Sequence, residues 1–451
     1  MKKKTVLVVI IAVSVLLIFL FASTVNEKPK TKALESSEEV LQKADLDFWI
    51  ITDPHYISKE LYDQGEAFQF IQSTAAGKDL IYQTESLQAL IAEALAEKPD
   101  GLIVTGDVTL NGEKISAEAF AKLLSPLRDA GIQTFIIPGN HDIYDGWARK
   151  YTKDKQEKTA QISPDDFRTI FAETGYKGAA AYDEKSLSYM VQINDSYNFV
   201  FLDTNIYTIE PSNRNPVTAG KLSQETKAWL DEQLKQGESS AKTTLVFMHH
   251  NLFSHNERVN KGYVLNNAPE IKELLKKYKV PAVFSGHIHA QDILTDKETG
   301  ITEIVTGSFS LSPHPVGVLS LKNKKMCYYR KETDVDRWAQ DTKQEDENLL
   351  KHHEYLENLF IKDGEAMAYR SLLGAGFKDE KKLDEAAAFV GKLNLSFFTG
   401  EDSITDEAAD KLRNSDAYQT INEQAPELRE YIDTIIQDKN DDDLHFEKSW
   451  N

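Results

Sequence analysis

The stretch VFSGHIHA, residues 283–290, decides how the rest of the chain is read. A short apolar run ends in serine and glycine, and two histidines follow one residue apart. Alternation along an extended chain puts His287 and His289 on one side and Ile288 on the other. The same arrangement, an apolar run closing on a polar cluster, recurs. LDFWIIT precedes Asp53-Pro54-His55, GLIVT precedes Gly106-Asp107, and QTFIIP precedes Gly139-Asn140-His141-Asp142. YNFVFL precedes Asp203, TTLVFM precedes His249-His250, VPAVFS precedes Gly286-His287, and TEIVT ends at Gly307. Short runs rich in Val, Ile and Phe have the pattern of strands buried on both faces.

Amphipathic segments lie between the runs. Phe120, Leu123, Leu124 and Leu127 have helical spacing, and Gly131 closes that helix. Ser163-Pro164-Asp165-Asp166 is a helix start: a capping serine, proline at the first position, then acids near the positive end. Thr84 to Lys98 and Ser223 to Gln236 are further helices. Strands alternating with helices indicate an α/β fold. From about Lys331 the pattern turns helical: Leu349, Leu356 and Phe360 fit one face, as do Leu428, Tyr431, Ile432 and Ile435. DEAAAFVGKL adds another helix, and no strong strand is expected after Tyr329.

The chain of 451 residues has a formal net charge of −20. Residues 331–451 hold 15 Lys and Arg against 30 Asp and Glu, so they carry −15 of it. Such a balance argues against a nucleic-acid duplex as partner, which needs a concentrated basic surface. Cys327 is the one cysteine, so neither an intrachain disulfide nor a cysteine-built zinc site can form. Lys2, Lys3 and Lys4 precede an uncharged apolar stretch, residues 5–25, long enough to span a bilayer. It reads as a membrane anchor or signal, with the lysines inside and the remainder on the extracellular face or secreted. The expected organisation is an anchor at 1–25, a polar tether at 26–44, a catalytic body at 45–330 and an acidic helical domain at 331–451.

Ligands of open α/β sheets bind beyond the carboxyl ends of the strands. Six of the 11 histidines, namely His55, His141, His249, His250, His287 and His289, sit there with Asp53, Asp107 and Asn140. A lone histidine is usually structural. So many polar groups at strand ends are not, because each buried without a partner costs a few kcal/mol.

In order, D-x-H, G-D, G-N-H-D, H and G-H-x-H resemble the blocks of the metallophosphoesterases, the calcineurin-like phosphoesterase superfamily. The nearest likeness is to bacterial class III cyclic-nucleotide phosphodiesterases with an added helical C-terminal domain; GDVTLNGEK and PGNHDIYDGWARK carry it. The resemblance implies a four-layer α/β/β/α sandwich with a C-terminal all-α domain and a two-metal site on one edge. Carried over, Asp53, His55, Asp107 and His289 hold one ion. Asp107, Asn140, His249 and His287 hold the other, with Asp107 bridging. His141 is the catalytic residue, facing the scissile phosphate, while Asp142 and His250 support the ligands from behind. Asp142 is expected to orient His141, and Asp203 to stand behind the site. His255, His314, His352, His353 and His445 are read as solvated or structural. Mixed imidazole and oxygen ligands suit Mn, Fe or Zn. The expected activity is hydrolysis of a small-molecule phosphodiester or nucleotide. The alternatives are an extracellular phosphomonoesterase or nucleotidase, and a non-catalytic anchored scaffold. A departure from many cyclic-nucleotide relatives is His249-His250-Asn251-Leu252, where they carry proline soon after the histidines.

Overall fold

The computed structural model describes residues 39–438 and 442–450. All seven apolar runs are strands. In chain order the strands are β1 (Leu46–Ile51), β2 (Gly101–Thr105), β3 (Gln133–Ile137), β4 (Arg149–Thr152), β5 (Lys155–Lys158), β6 (Ala181–Tyr182), β7 (Tyr189–Gln192) and β8 (Tyr197–Leu202). They continue with β9 (Thr243–Met248), β10 (Ala282–Ser285), β11 (Asp292–Thr295), β12 (Thr302–Val305), β13 (Pro315–Lys322), β14 (Lys325–Glu332) and β15 (His445–Ser449).

Two sheets face each other. One runs β15-β14-β13-β1-β2-β3, with β1, β2 and β3 parallel. The other runs β11-β12-β10-β9-β8-β7-β6, with β8, β9, β10 and β12 parallel. Aromatic rings fill the gap between them. Phe48 of β1 lies 5.0 Å from Phe199 of β8, and Phe135 of β3 lies 5.3 Å from Phe201. Each such ring, fully buried, contributes ~1.5–3 kcal/mol. On the outer face of the first sheet pack the helices Gln83–Glu97 and Lys114–Leu123, through Leu87, Leu90, Ala117 and Phe120. On the outer face of the second pack Gln224–Ser239 and Ala268–Lys277, through Leu230, Leu234, Ile271 and Leu275. This is the four-layer α/β/β/α sandwich.

Some local expectations are corrected. The helix expected around Phe120 to Leu127 is two, Lys114–Leu123 and Ser125–Asp129, because Pro126 has no N–H to continue the ladder. Leu349 does not share a helix with Leu356 and Phe360. Lys351 leaves helical geometry (φ −135°, ψ 47°) and separates Glu347–Leu350 from His352–Gly374. The tail also holds strand: β14 runs past Tyr329, and β15 pairs antiparallel with it at the sheet edge, Tyr328 opposite Phe446. HFEKS is polar and partly exposed throughout, so it leaves no apolar signature.

The tail packs on the body. Phe397, Phe398, Tyr431 and Ile435 meet Ile288 and Ala290, and Phe398 O accepts the Gln291 amide. At the other end of the chain, Val40 and Leu41 amides donate to Gln192 and Ile193 carbonyls, so residues 39–43 lie along the body. The stretch read as an anchor, residues 1–25, lies outside the described residues. Among the described residues no helix is long and apolar enough to cross a membrane.

Candidate metal centre

The candidate ligands follow the carboxyl ends of β1, β2, β3, β9 and β10, where the chain turns sharply. Asp53, His55, Asp107, His287 and His289 all have positive φ, between 42° and 69°. Such conformations cost of order 1–3 kcal/mol each and collect at functional sites. Close packing enforces them. A Cβ on Gly139 would lie 2.2 Å from Asp107 Oδ1, and one on Gly286 would lie 1.9 Å from Thr52 Oγ1. Gly286 lets ligand loops of opposite sheets meet, and Gly139 lets those after the neighbouring strands β2 and β3 meet within one sheet.

The side chains converge into two groups that share Asp107. Asp53, His55, Asp107 and His289 form one; Asp107, His249 and His287 form the other, with ligand atoms within 4.8 Å of each other in each group. Asp107 divides its oxygens between them: Oδ2 lies 3.6 Å from His55 Nε2, and Oδ1 lies 3.5 Å from His249 Nε2. Asn140 joins the second group, its Oδ1 being 3.2 Å from His249 Nε2. All seven sequence-picked ligands therefore lie together.

The donor set fits two cations. Asp53 Oδ2 accepts from the Thr52 hydroxyl and the His287 amide, but Oδ1 is buried with no hydrogen-bond partner. That oxygen lies 3.3 Å from His289 Nε2, itself 3.1 Å from His55 Nε2. The Thr105 carbonyl holds His249 Nδ1 at 2.9 Å, leaving Nε2 for the centre. The Thr218 and Gly262 carbonyls hold His287 Nε2, which leaves Nδ1. Carbonyls behind imidazoles fix the tautomer that ligation needs.

Charge follows the same plan. Burial works against ionising Asp53 and Asp107, yet the neighbouring histidines hold both below the usual carboxylate range. Burial also keeps His55, His287 and His289 neutral, His287 down to about 3. Burial would do the same to His249, but Asp107 and Asp53 hold it up at about 9. Ionised carboxylates and neutral imidazoles are the states that ligate, so His249 would give up its extra proton on binding a cation.

His141 belongs to neither group. Its amide donates to Asp107 Oδ1, its ring is partly exposed, and Nδ1 lies 3.3 Å from Asn111 Oδ1 and 3.5 Å from Asp145 Oδ2. Burial opposes its charge while Asp107 and Asp145 favour it, with a net upward shift. The partner expected for it was Asp142, and this is corrected. Asp142 accepts the Val108, Thr109 and Gly139 amides, tying the Asp107 loop to the Asn140 loop. His250 binds no centre either: Nδ1 faces Thr204 Oγ1 and Nε2 faces Thr218 O. Asp203 accepts from Leu187, Asn205 and Tyr207, starting the loop that reaches Thr218. His255, His314 and His352 are buried, while His353 and His445 are more than half exposed.

Three residues were missed. Asn111 and Asp145 flank His141, and Lys78 shares the space with Asp107 and Asp53. Burial lowers the Lys78 pKa while both carboxylates raise it. No motif marks Lys78 or Asp145, and each stands beside other polar or charged residues in its loop, so neither is singled out by its neighbours.

Residues 46–291, more than half of the chain, match the family of calcineurin-like phosphoesterases. The chain belongs to that family. Residues 334–442 of this phosphoesterase match the C-terminal domain of cyclic nucleotide phosphodiesterase. It is similar to a probable cyclic nucleotide phosphodiesterase of Psychrobacter arcticus, 25% identical over 230 residues, 49% of this chain and 68% of that protein. It is similar also to the 3′,5′-cyclic adenosine monophosphate phosphodiesterase CpdA of Haemophilus influenzae, 26% identical over 211 residues, 45% of this chain and 62% of that one. The glycerophosphodiester phosphodiesterase GpdQ of Enterobacter lignolyticus is 23% identical over 240 residues, 53% of this chain and 69% of that protein. The family is one of phosphoester hydrolases, and the clustered donors of this phosphoesterase suit a binuclear divalent centre.

Proposed function

We propose that this protein is a two-metal phosphodiesterase acting on cyclic nucleotides. The observation that carries the reading is Asp107, one carboxylate turned to two imidazole groups at a shared strand edge. The match of residues 334–442 to the C-terminal domain of cyclic nucleotide phosphodiesterase supports the substrate class. Imidazole with oxygen donors suits Mn, Fe or Zn. Bound there, such ions would polarise the phosphoryl oxygens and supply water of lowered pKa.

The chain's own residues do the remainder. Asp53, His55, Asp107 and His289 would hold one ion, and Asp107, Asn140, His249 and His287 would hold the other. His141, with Nδ1 held by Asn111 and Asp145, presents Nε2 to the substrate and gives a proton to the departing oxygen. Lys78 offsets the charge of the bound phosphate. The lysines and apolar stretch at residues 2–25 support an external, membrane-associated position. An external enzyme meets nucleotides released by RNA breakdown, 2′,3′-cyclic ones among them.

The test is hydrolysis by purified, Mn-loaded protein of 2′,3′-cyclic nucleotides, 3′,5′-cyclic nucleotides and nucleoside monophosphates. The cyclic diesters should be turned over faster than the monoesters, the 2′,3′ class at least as fast as the 3′,5′ class, and chelator should abolish both. Preference for monoesters would replace this reading with a nucleotidase. Protease added to intact cells should degrade the body, and protection would reverse the external placement.

A further inference from the structure

A second histidine cluster lies where the tail meets the body. Asp79 comes from the loop before helix Gln83–Glu97, His314 directly precedes β13, and His352 opens the tail's longest helix, His352–Gly374. Asp79 is fully buried, and His314 and His352 are each 1% exposed. None of the three belongs to the strand-end centre.

Their hydrogen bonds do not close. His314 Nδ1 lies 2.5 Å from the Phe309 carbonyl, and His352 Nδ1 lies 3.1 Å from the Asn348 carbonyl. A carbonyl can only accept, so each Nδ1 carries its hydrogen and each Nε2 of a neutral ring presents a lone pair. Those two Nε2 atoms are 3.0 Å apart. Asp79 Oδ1 accepts the Ile81 and Tyr82 amides, but Oδ2 has no hydrogen bond of acceptable geometry, although the Tyr355 hydroxyl is beside it. Oδ2 lies 3.7 Å from His352 Nε2. Ser86 Oγ, 2.9 Å and 3.3 Å from the two Nε2 atoms, brings a single hydrogen. Three acceptors thus converge on two hydrogens, those of the Ser86 and Tyr355 hydroxyls, and a water-free interior does not tolerate that deficit cheaply.

We propose that Asp79, His314 and His352 form a third metal site, structural and of the zinc class, that fastens the helical tail to the catalytic body. Two imidazoles and a carboxylate are zinc ligands, and tetrahedral bonds of ~2.0–2.1 Å set ligand atoms ~3.3–3.4 Å apart. The observed 3.0 Å and 3.7 Å bracket that spacing. The carbonyls behind both Nδ1 atoms supply the support that zinc-bound histidines ordinarily have. His314 holds φ at 58°, the same costly conformation as the strand-end ligands. A cavity of about 350 Å³, lined by Pro313, His314, Thr333, His352, His353 and Leu356, provides an entry path. Ser86 Oγ or a water completes the coordination.

Full-length protein in detergent, stripped by chelator and reloaded with zinc alone, tests this by elemental analysis. His352→Gln should hold one zinc fewer per chain than the unaltered protein. The difference carries the test, so occupancy of the strand-end centre does not enter. In zinc-loaded crystals of the unaltered protein, anomalous scattering at the zinc edge should peak ~2.0–2.2 Å from His314 Nε2, His352 Nε2 and Asp79 Oδ2. Equal zinc counts in a folded His352→Gln protein, or no anomalous peak between these residues, overturns the proposal. If His352→Gln does not fold, the crystal decides alone.

Discussion

The strand-end cluster and the seam cluster are made of the same parts and differ in access. At the strand ends the His141 and His289 side chains are 23% and 19% exposed. At the seam no ligand exceeds 1%. A catalytic centre keeps a position open for substrate, whereas a structural one closes on itself. The same imidazole chemistry therefore serves turnover on an edge and adhesion in a seam. The surroundings decide which.

The largest expected effect separates the two directly. Asp107→Ala should lower turnover by ~10³-fold or more, since both halves of the strand-end centre lose a ligand. His314→Gln should leave kcat within about twofold while lowering Tm. The comparison breaks if steady-state kinetics and calorimetry give the reverse.

His141→Ala comes next. A positioned proton donor contributes ~10²–10⁴-fold, so kcat should fall by that much with metal content unchanged. Loss of metal in elemental analysis would make His141 a ligand and redraw the edge.

A third, purely structural histidine sharpens the contrast through pH. His255 lies buried between Asp292 Oδ1 at 2.7 Å and Glu303 Oε2 at 3.0 Å. Burial opposes its charge, but the two carboxylates hold it up at about 10. Its unfolded value is ~6.5. The folded pKa is the higher one, so the stabilisation is complete below ~6.5 and is lost as pH rises through about 10. His255→Gln should cost ~3–5 kcal/mol near neutrality, because a buried charge network loses its cation. Denaturation profiles of the two proteins should approach each other above pH 10. Parallel profiles would mean that His255 is neutral.

The smallest effect is expected at Lys78. Lys78→Ala should reduce kcat/KM by about 10-fold, mostly in KM, if the ammonium holds substrate phosphate. A change confined to kcat would place it on the reacting atoms instead.

What could be read beforehand follows from where apolarity is forced. Strands β1, β2, β3, β8, β9, β10 and β12 lie between layers, so both faces are apolar and the runs stand out. Their polar endings then mark the ligands. Asp145 has no such frame. It sits four residues past His141 in a loop, and only the fold brings it beneath the ring instead of Asp142. The seam ligands are harder still: His314 and His352 are 38 residues apart with no motif between them. Strand β15 was hidden for the opposite reason, since an edge strand made of His445, Glu447 and Lys448 looks like any polar tail.

That last strand has a consequence for how the molecule is made. β1 stands in the middle of its sheet, yet β13, β14 and β15 on one side of it are synthesised last. A ribosome that has delivered every strand-end ligand, through His289, has delivered only half of the sheet carrying Asp53. Until residue 449 emerges, the outer edge of β14 offers unpaired amides and carbonyls to any neighbouring strand. Nascent or shortened chains are therefore the species to protect from aggregation, and a chaperone acting on this protein is needed longest at its carboxyl end.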